Sequence, residues 1–186
     1  QHPFTGLRGF TPQRSGELRL YQAVREAVPV VDAAVCKLIR LSGGVQVSCE
    51  DADVQTRLRR FLENVPVGRG QYGINAFLEQ YLDSLLVYGG AVGEMVPAAG
   101  NRDLAALLCG RMDLVELREG ASPLEFRICG PDEKGHMAEL PCQELLMFTP
   151  MHPEAEHPCG VSLLRGLPFM ADILMKIYHT VGVNWE

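Results

Sequence analysis

A proline stands in the middle of the longest helix-period segment of this 186-residue chain. Leu20, Val24, Val28, Val31, Val35 and Leu38 recur at spacings of four and three, which puts all six on one face of a helix from about Gly16 to Leu41. Pro29 has no amide hydrogen to donate, and its ring presses on the carbonyl of Arg25, so the helix must kink or break there. Ser42-Gly43-Gly44 then stops it. Any fold must therefore accommodate a bent amphipathic element with one buried face.

The remaining periodicities add shorter helices and then strands. Residues 1–15, with His2-Pro3 and Thr11-Pro12 and no periodicity, read as a flexible N-terminal arm. Val45 to Ser48 alternates as a short strand, and Glu50, Asp51 and Asp53 open a second helix with the buried stripe Val54, Leu58, Phe61, Leu62. Asn64 to Gly70 reads as a loop. The broad apolar face Ile74, Phe77, Leu78, Tyr81, Leu82, Leu85, Tyr88 predicts a third helix over about 72–88, ended by Gly89-Gly90. Ala91 to Val96 follows as a strand, and Gly100 to Asp103 turns into a short helix through Leu108. From Met112 the period becomes two. Leu114–Arg118 and Leu124–Cys129 form a hairpin across Glu119–Pro123, and Gly135–Leu140 and Glu144–Phe148 are further strands. Thr149–Gly160, with three prolines, is irregular, and Val161–Trp185 is helical. The sum is an α+β fold, amphipathic helices packed on a small, mainly antiparallel sheet, over residues 16–186.

Composition narrows the function classes. At 47% hydrophobic residues the chain can bury a core, and no apolar run approaches the roughly 18–20 residues of a membrane span. With no basic-then-apolar leader at Gln1–Gly9, the expectation is a soluble, non-secreted protein. Its six cysteines are scattered with no C-x-x-C pair and read as reduced thiols. Net charge is −6, but residues 1–70 hold ten Lys/Arg against seven Asp/Glu and residues 71–186 hold seven against sixteen. That balance argues against a strong duplex binder. Arg57, Arg59 and Arg60 form a local basic cluster that a solvated helix face explains.

Catalytic motifs are missing. There is no G-x-S-x-G, G-x-x-x-x-G-K-[ST] or H-E-x-x-H, and Gly89-Gly-Ala-Val-Gly93 is a helix stop rather than a dinucleotide fingerprint. Asp83, Glu94, Asp113 and Glu116 supply carboxylates, but no spacing brings two of them together. The densest set of metal-ligating types is His152, His157 and Cys159, which zinc accepts; the prolines between them and the lack of a second spaced pair favour a polar loop. No cofactor is expected.

Four segments, in order, resemble the portal proteins of tailed phages. They are the proline-bearing helix Tyr21–Gly44, with Asp32, Lys37 and Arg40 before its glycine stop; Phe77–Glu94, a helix ending in Tyr88-Gly89-Gly90 and feeding a strand; the strands of Asp113–Phe148; and Gly160-Val-Ser-Leu-Leu164, a Gly-x-Ser-x-Leu entry into the next helix. Many portals carry a histidine near the end of the third segment, where this chain has Met147 and Phe148, so that position is given no role.

The resemblance implies a portal wing-like domain lying ahead of the stem, clip and crown, and a non-enzymatic subunit of a ring, typically of twelve copies. Such a ring sits at the capsid vertex of the virion after assembly in the host cytoplasm. Its partners would be further copies of itself, the terminase, capsid and head-completion proteins, with duplex DNA passing through non-specifically and no membrane. On this reading the face bearing Arg25, Glu26, Asp32 and Arg40 meets a neighbouring subunit. A metal-dependent hydrolase using His152, His157 and Cys159, or another phage structural adaptor, is the alternative.

Overall fold

The computed structural model describes residues 15–100, 103–121, 125–154 and 157–183. The expected arm falls outside them apart from Ser15, as do Trp185 and Ser122–Leu124 of the hairpin connection. The fold is α+β. Helices α1 (Ser15–Ala27), α2 (Pro29–Ser42), α3 (Ala52–Asn64), α4 (Ile74–Tyr88) and α5 (Leu167–Val183) surround three small sheets, each with antiparallel pairing throughout. The first sheet pairs β1 (Pro66–Gly68) with β2 (Gln71–Tyr72). In the second, β3 (Gly90–Pro97) is central, between β4 (Leu104–Cys109) and β8 (Leu146–Pro150). The third runs β5 (Glu116–Glu119), β6 (Phe126–Pro131), β7 (Met137–Glu139), so the single expected sheet is divided.

The helix around Pro29 breaks rather than bends. Val28, pushed to φ −119° and ψ 92° by the proline after it, separates α1 from α2, and Pro29 takes the first position of α2, where no amide is needed. The buried stripe is narrower than a continuous helix would give. Leu18, Tyr21 and Val24 are buried on α1 and Val35 on α2, whereas Leu20 and Leu38, which a continuous stripe would bury, are exposed.

Among the described residues three clusters make the core. The first joins Leu18, Tyr21, Val35, Val87, Val92, Met112 and Leu164, bringing α1, α2, α4 and β3 together. The second, Val65, Val67, Phe77 and Leu107, fills the space between α4, β1 and β4. The third, Leu117, Ile128 and Cys159, backs the β5–β6–β7 sheet and meets the first through Val115 and Phe148. An edge-on contact of Phe126 with Phe148, centroids 5.3 Å apart, reinforces that boundary.

Several local expectations are corrected. Leu104–Cys109 forms a strand, because six residues make a marginal helix and pairing with β3 from Gly93↔Cys109 to Pro97↔Leu104 satisfies its backbone instead. Asn64–Gly70 contains β1, turned onto β2 through Gly70 at φ +71°. Among the described residues no strand pairs with Val45–Ser48; the Val45 amide donates to Asn75 Oδ1 (3.1 Å) and the Cys49 amide to Gln55 Oε1 (2.5 Å). The stripe of α3 is only partly covered, with Val54 exposed and Phe61 reaching the second cluster, since α3 borders α4 along one edge. The last helix begins at Leu167, not Val161, and Ile173, Ile177 and Val181 face solvent.

Candidate functional site

Two of the segments singled out in the sequence form one joint. Helix α4 ends at Gly89, whose left-handed φ of +79° turns the chain directly into β3. The segment Cys159–Leu164 crosses that turn so closely that a Cβ on Gly89 would run into the backbone of Val161 and Ser162. A Cβ on Gly160, itself at φ +92°, would strike the carbonyl oxygen of Gly89. Both positions therefore require glycine twice over, for conformation and for space.

Hydrogen bonds close the joint. Ser162 Oγ donates to Val87 O (2.5 Å) and accepts from the Leu164 amide (2.9 Å), while Ser84 Oγ donates to Gly90 O (3.1 Å). The amides of Met151 and Leu163 donate to Gly89 O (2.8 Å) and Leu86 O (3.1 Å). Ser84 and Ser162 are buried, so each hydroxyl satisfies a helix-end or strand-start carbonyl that water cannot reach. Nearby, Tyr81 Oη donates to Ala91 O (3.1 Å), and burial pushes its phenol pKa up.

The helix break carries the main charged cluster. Arg25 on α1 reaches Asp32 on α2 through Nε (2.6 Å) and Asp83 on α4 through Nη1 (2.6 and 2.8 Å). Its side chain is only 15% exposed. Burial alone would favour the neutral form, but hydrogen bonds to the two carboxylates outweigh it and drive the guanidinium pKa further up. Arg25 and Asp32, expected at a subunit contact, are thus engaged inside the chain. Glu26 and Arg40 are exposed.

The other expected groups do not converge. His152 and His157 are exposed, Cys159 is buried in the third cluster, and among the described residues no three His, Cys, Asp or Glu side chains are placed to hold a metal ion. Of the four carboxylates, Asp83 binds Arg25, Asp113 binds Arg111 (2.6 Å), Glu116 binds Arg118 (3.0 Å) and Glu94 is exposed. Arg57, Arg59 and Arg60 are exposed on α3. What this arrangement does is fix elements against each other, through buried hydroxyls, glycines and one shared guanidinium.

Sequence reasoning missed the partners rather than the motifs. The sequence presents Asp83 as an acid and gives no sign that it anchors Arg25, 58 residues away, which no local pattern encodes. No motif marks Gln143, yet it accepts from the Ile128 amide (2.9 Å) and donates to Ile128 O (2.8 Å) and Leu140 O (2.8 Å), acting as a strand partner for β6. No protein-family model matches the chain, nor does any curated protein.

Proposed function

We propose that this chain is a structural, non-enzymatic subunit of a portal-type ring at a phage capsid vertex, contributing a wing-like α+β domain. The observation that carries the reading is the joint itself. The Tyr88-Gly89-Gly90 end of α4 and the Gly160-Val-Ser-Leu-Leu164 entry to the last helix, two of the segments on which the resemblance rests, meet backbone to backbone. Gly89 and Gly160, 71 positions apart, would serve one purpose, holding the last helix at a fixed attitude to the β3 sheet. A subunit that transmits force between neighbours needs such rigid junctions more than it needs a pocket. In this reading the partners are further copies of the chain, the packaging terminase, and capsid and head-completion proteins, with DNA passing through without base recognition.

Electron microscopy and native mass spectrometry of the gene product carrying these residues test the proposal. Closed rings of a single subunit number with a central channel are expected. Monomers alone at every concentration, with or without duplex DNA, would overturn it.

A further inference from the structure

Residues 43–49 leave α2 without a turn or a bend, and Val45, Gln46, Val47 and Ser48 are all exposed. Side-chain amides from two helices fix the ends of this segment: Asn75 on α4 accepts the Val45 amide and Gln55 on α3 the Cys49 amide. In extended backbone alternate amides share an edge, so the Val47 amide lies on that same edge, between the two. Among the described residues it donates to nothing, and the carbonyls of Val45 and Val47, Asn75 Nδ2 and Gln55 Nε2 are equally without a hydrogen bond. Exposed strand edges are ordinarily blunted by a charge or a proline, and Val45–Cys49 contains neither. A groove of about 850 Å³ lies alongside, bounded by this segment and by Arg59, Leu62 and Glu63 of α3. Arg59 and Glu63, one helical turn apart, are exposed and hold no ion pair among the described residues.

We infer that this groove takes a short extended segment of another protein, added antiparallel to Val45–Ser48 as a strand centred on Val47. Another extended backbone supplies donors and acceptors at the repeat this edge presents, and ends already fixed by Asn75 and Gln55 lower the cost of ordering it. Charge complementarity selects the sequence of the occupant. Gln55, near the start of α3, meets Cys49, whereas a Cβ on Gly73, two residues before Asn75, would lie 3.1 Å from the Glu63 carbonyl at the far end of α3. The segment therefore runs against the direction of α3, with Arg59 towards its Cys49 end and Glu63 towards its Val45 end. A strand antiparallel to it runs with α3 and passes Arg59 first. Four residues of helix rise ~6 Å and two residues of strand ~6.8 Å, so an acid followed two positions later by a base brings a carboxylate to Arg59 and a cation to Glu63. The opposite order sets like charges together at both places. The inference goes beyond the ring reading and does not rest on it.

Fluorescence anisotropy on the 186-residue chain with short, end-blocked, labelled peptides tests this. The probe is a strand rich in threonine and valine that carries glutamate and, two positions on, lysine. One control exchanges those two residues, and two others carry N-methyl groups on one or the other set of alternate amides. The probe should bind, the exchanged peptide roughly tenfold more weakly, and N-methylation along one edge, but not the other, should abolish binding. R59E/E63R should invert the preference between the two charge orders. Val47→Pro removes an amide that donates to nothing in the free chain, so it should eliminate binding while circular dichroism and melting temperature stay as in the wild type. No saturable binding of the probe below about 1 mM overturns the inference, as does equal affinity for both charge orders or for both N-methylated peptides. Undiminished binding by a folded Val47→Pro chain does the same. Dimers of the wild type that Val47→Pro abolishes would seat a second copy in the groove and equally overturn it.

Discussion

At the scale of single residues, Arg25 carries more than its neighbours because one guanidinium serves three helices. Truncating it to alanine leaves Asp32 and Asp83 without their cation and removes hydrogen bonds to charged acceptors, each a substantial contribution. Partial exposure of both carboxylates lets water take over some of that role. Arg25→Ala should therefore cost about 1–3 kcal/mol in urea unfolding, and Arg25→Lys most of the same, since an ammonium cannot fork between two carboxylates. Cys109 gives a second residue-level expectation. Burial, with a smaller push from Asp83, raises its thiol from the ordinary 9.0 to about 11. Between those values the folded chain holds a proton that the unfolded chain releases, so stability is full below about pH 9 and falls as pH rises towards 11. Cys109→Ala should flatten part of that alkaline slope in thermal melts. The same burial predicts an order of alkylation: exposed Cys49 and Cys142 react in the native protein, and buried Cys129 only on unfolding.

At the scale of elements, the question is what Pro29 contributes once the break is seen. It sits at the first position of α2, where its missing donor and fixed φ are harmless, and Arg25–Asp32 spans the break from outside. Leu18 and Tyr21 on α1 and Val35 on α2 all reach the first cluster, so straightening the chain through Val28 would strain packing on one side of the break. Packing on both sides would then hold the break that the proline starts by pushing Val28 out of the helical region, and the proline also lowers the entropy of the unfolded chain. Pro29→Ala should retain the native helix content by circular dichroism and lower stability by no more than about 1 kcal/mol. A gain in helicity with a larger loss would show that the proline itself enforces the break. This is also where the sequence could and could not be read. α4 and the stop at Gly89 were legible, because fifteen residues of strong period end in a residue that tolerates a left-handed turn. The location of the break was legible for the same local reason. The strand at Leu104–Cys109 was not, since leucine and alanine favour helix and only the β3 ladder, a tertiary partner, overrides them. Val45–Ser48 failed in the opposite direction, alternating correctly yet meeting side-chain amides of Asn75 and Gln55 instead of a strand.

At the scale of the whole molecule, stability depends on how three modest clusters become one cooperative unit. Val115 and Phe148 bridge the first and third clusters, and β3, with Val92 in the first and Met95 in the second, joins those two. The Gly89–Gly160 crossing lies at the meeting point: Leu164 beyond it belongs to the first cluster and Cys159 before it to the third. The candidate site was legible as two separate motifs, and their union was not, because the crossing depends on the path of the chain between them and not on any spacing. A methyl group at Gly160 would face both a left-handed φ and the Gly89 carbonyl, which accepts the Met151 amide and has little freedom to retreat. Relief requires moving the entry to α5, and with it Leu164 and Ser162. Gly160→Ala should thus cost more than about 3 kcal/mol, beyond the range of an exposed glycine replacement, and should broaden the unfolding transition as the third cluster loosens from the first. Gly135→Ala supplies the control: it has a positive φ of +81° but nothing within reach of a Cβ, so it should show the conformational penalty alone, about 1–2 kcal/mol, with a sharp transition. If the two variants lose equal stability in chemical unfolding, the close crossing contributes nothing beyond backbone conformation, and the clusters must be coupled through β3 and Phe148 instead.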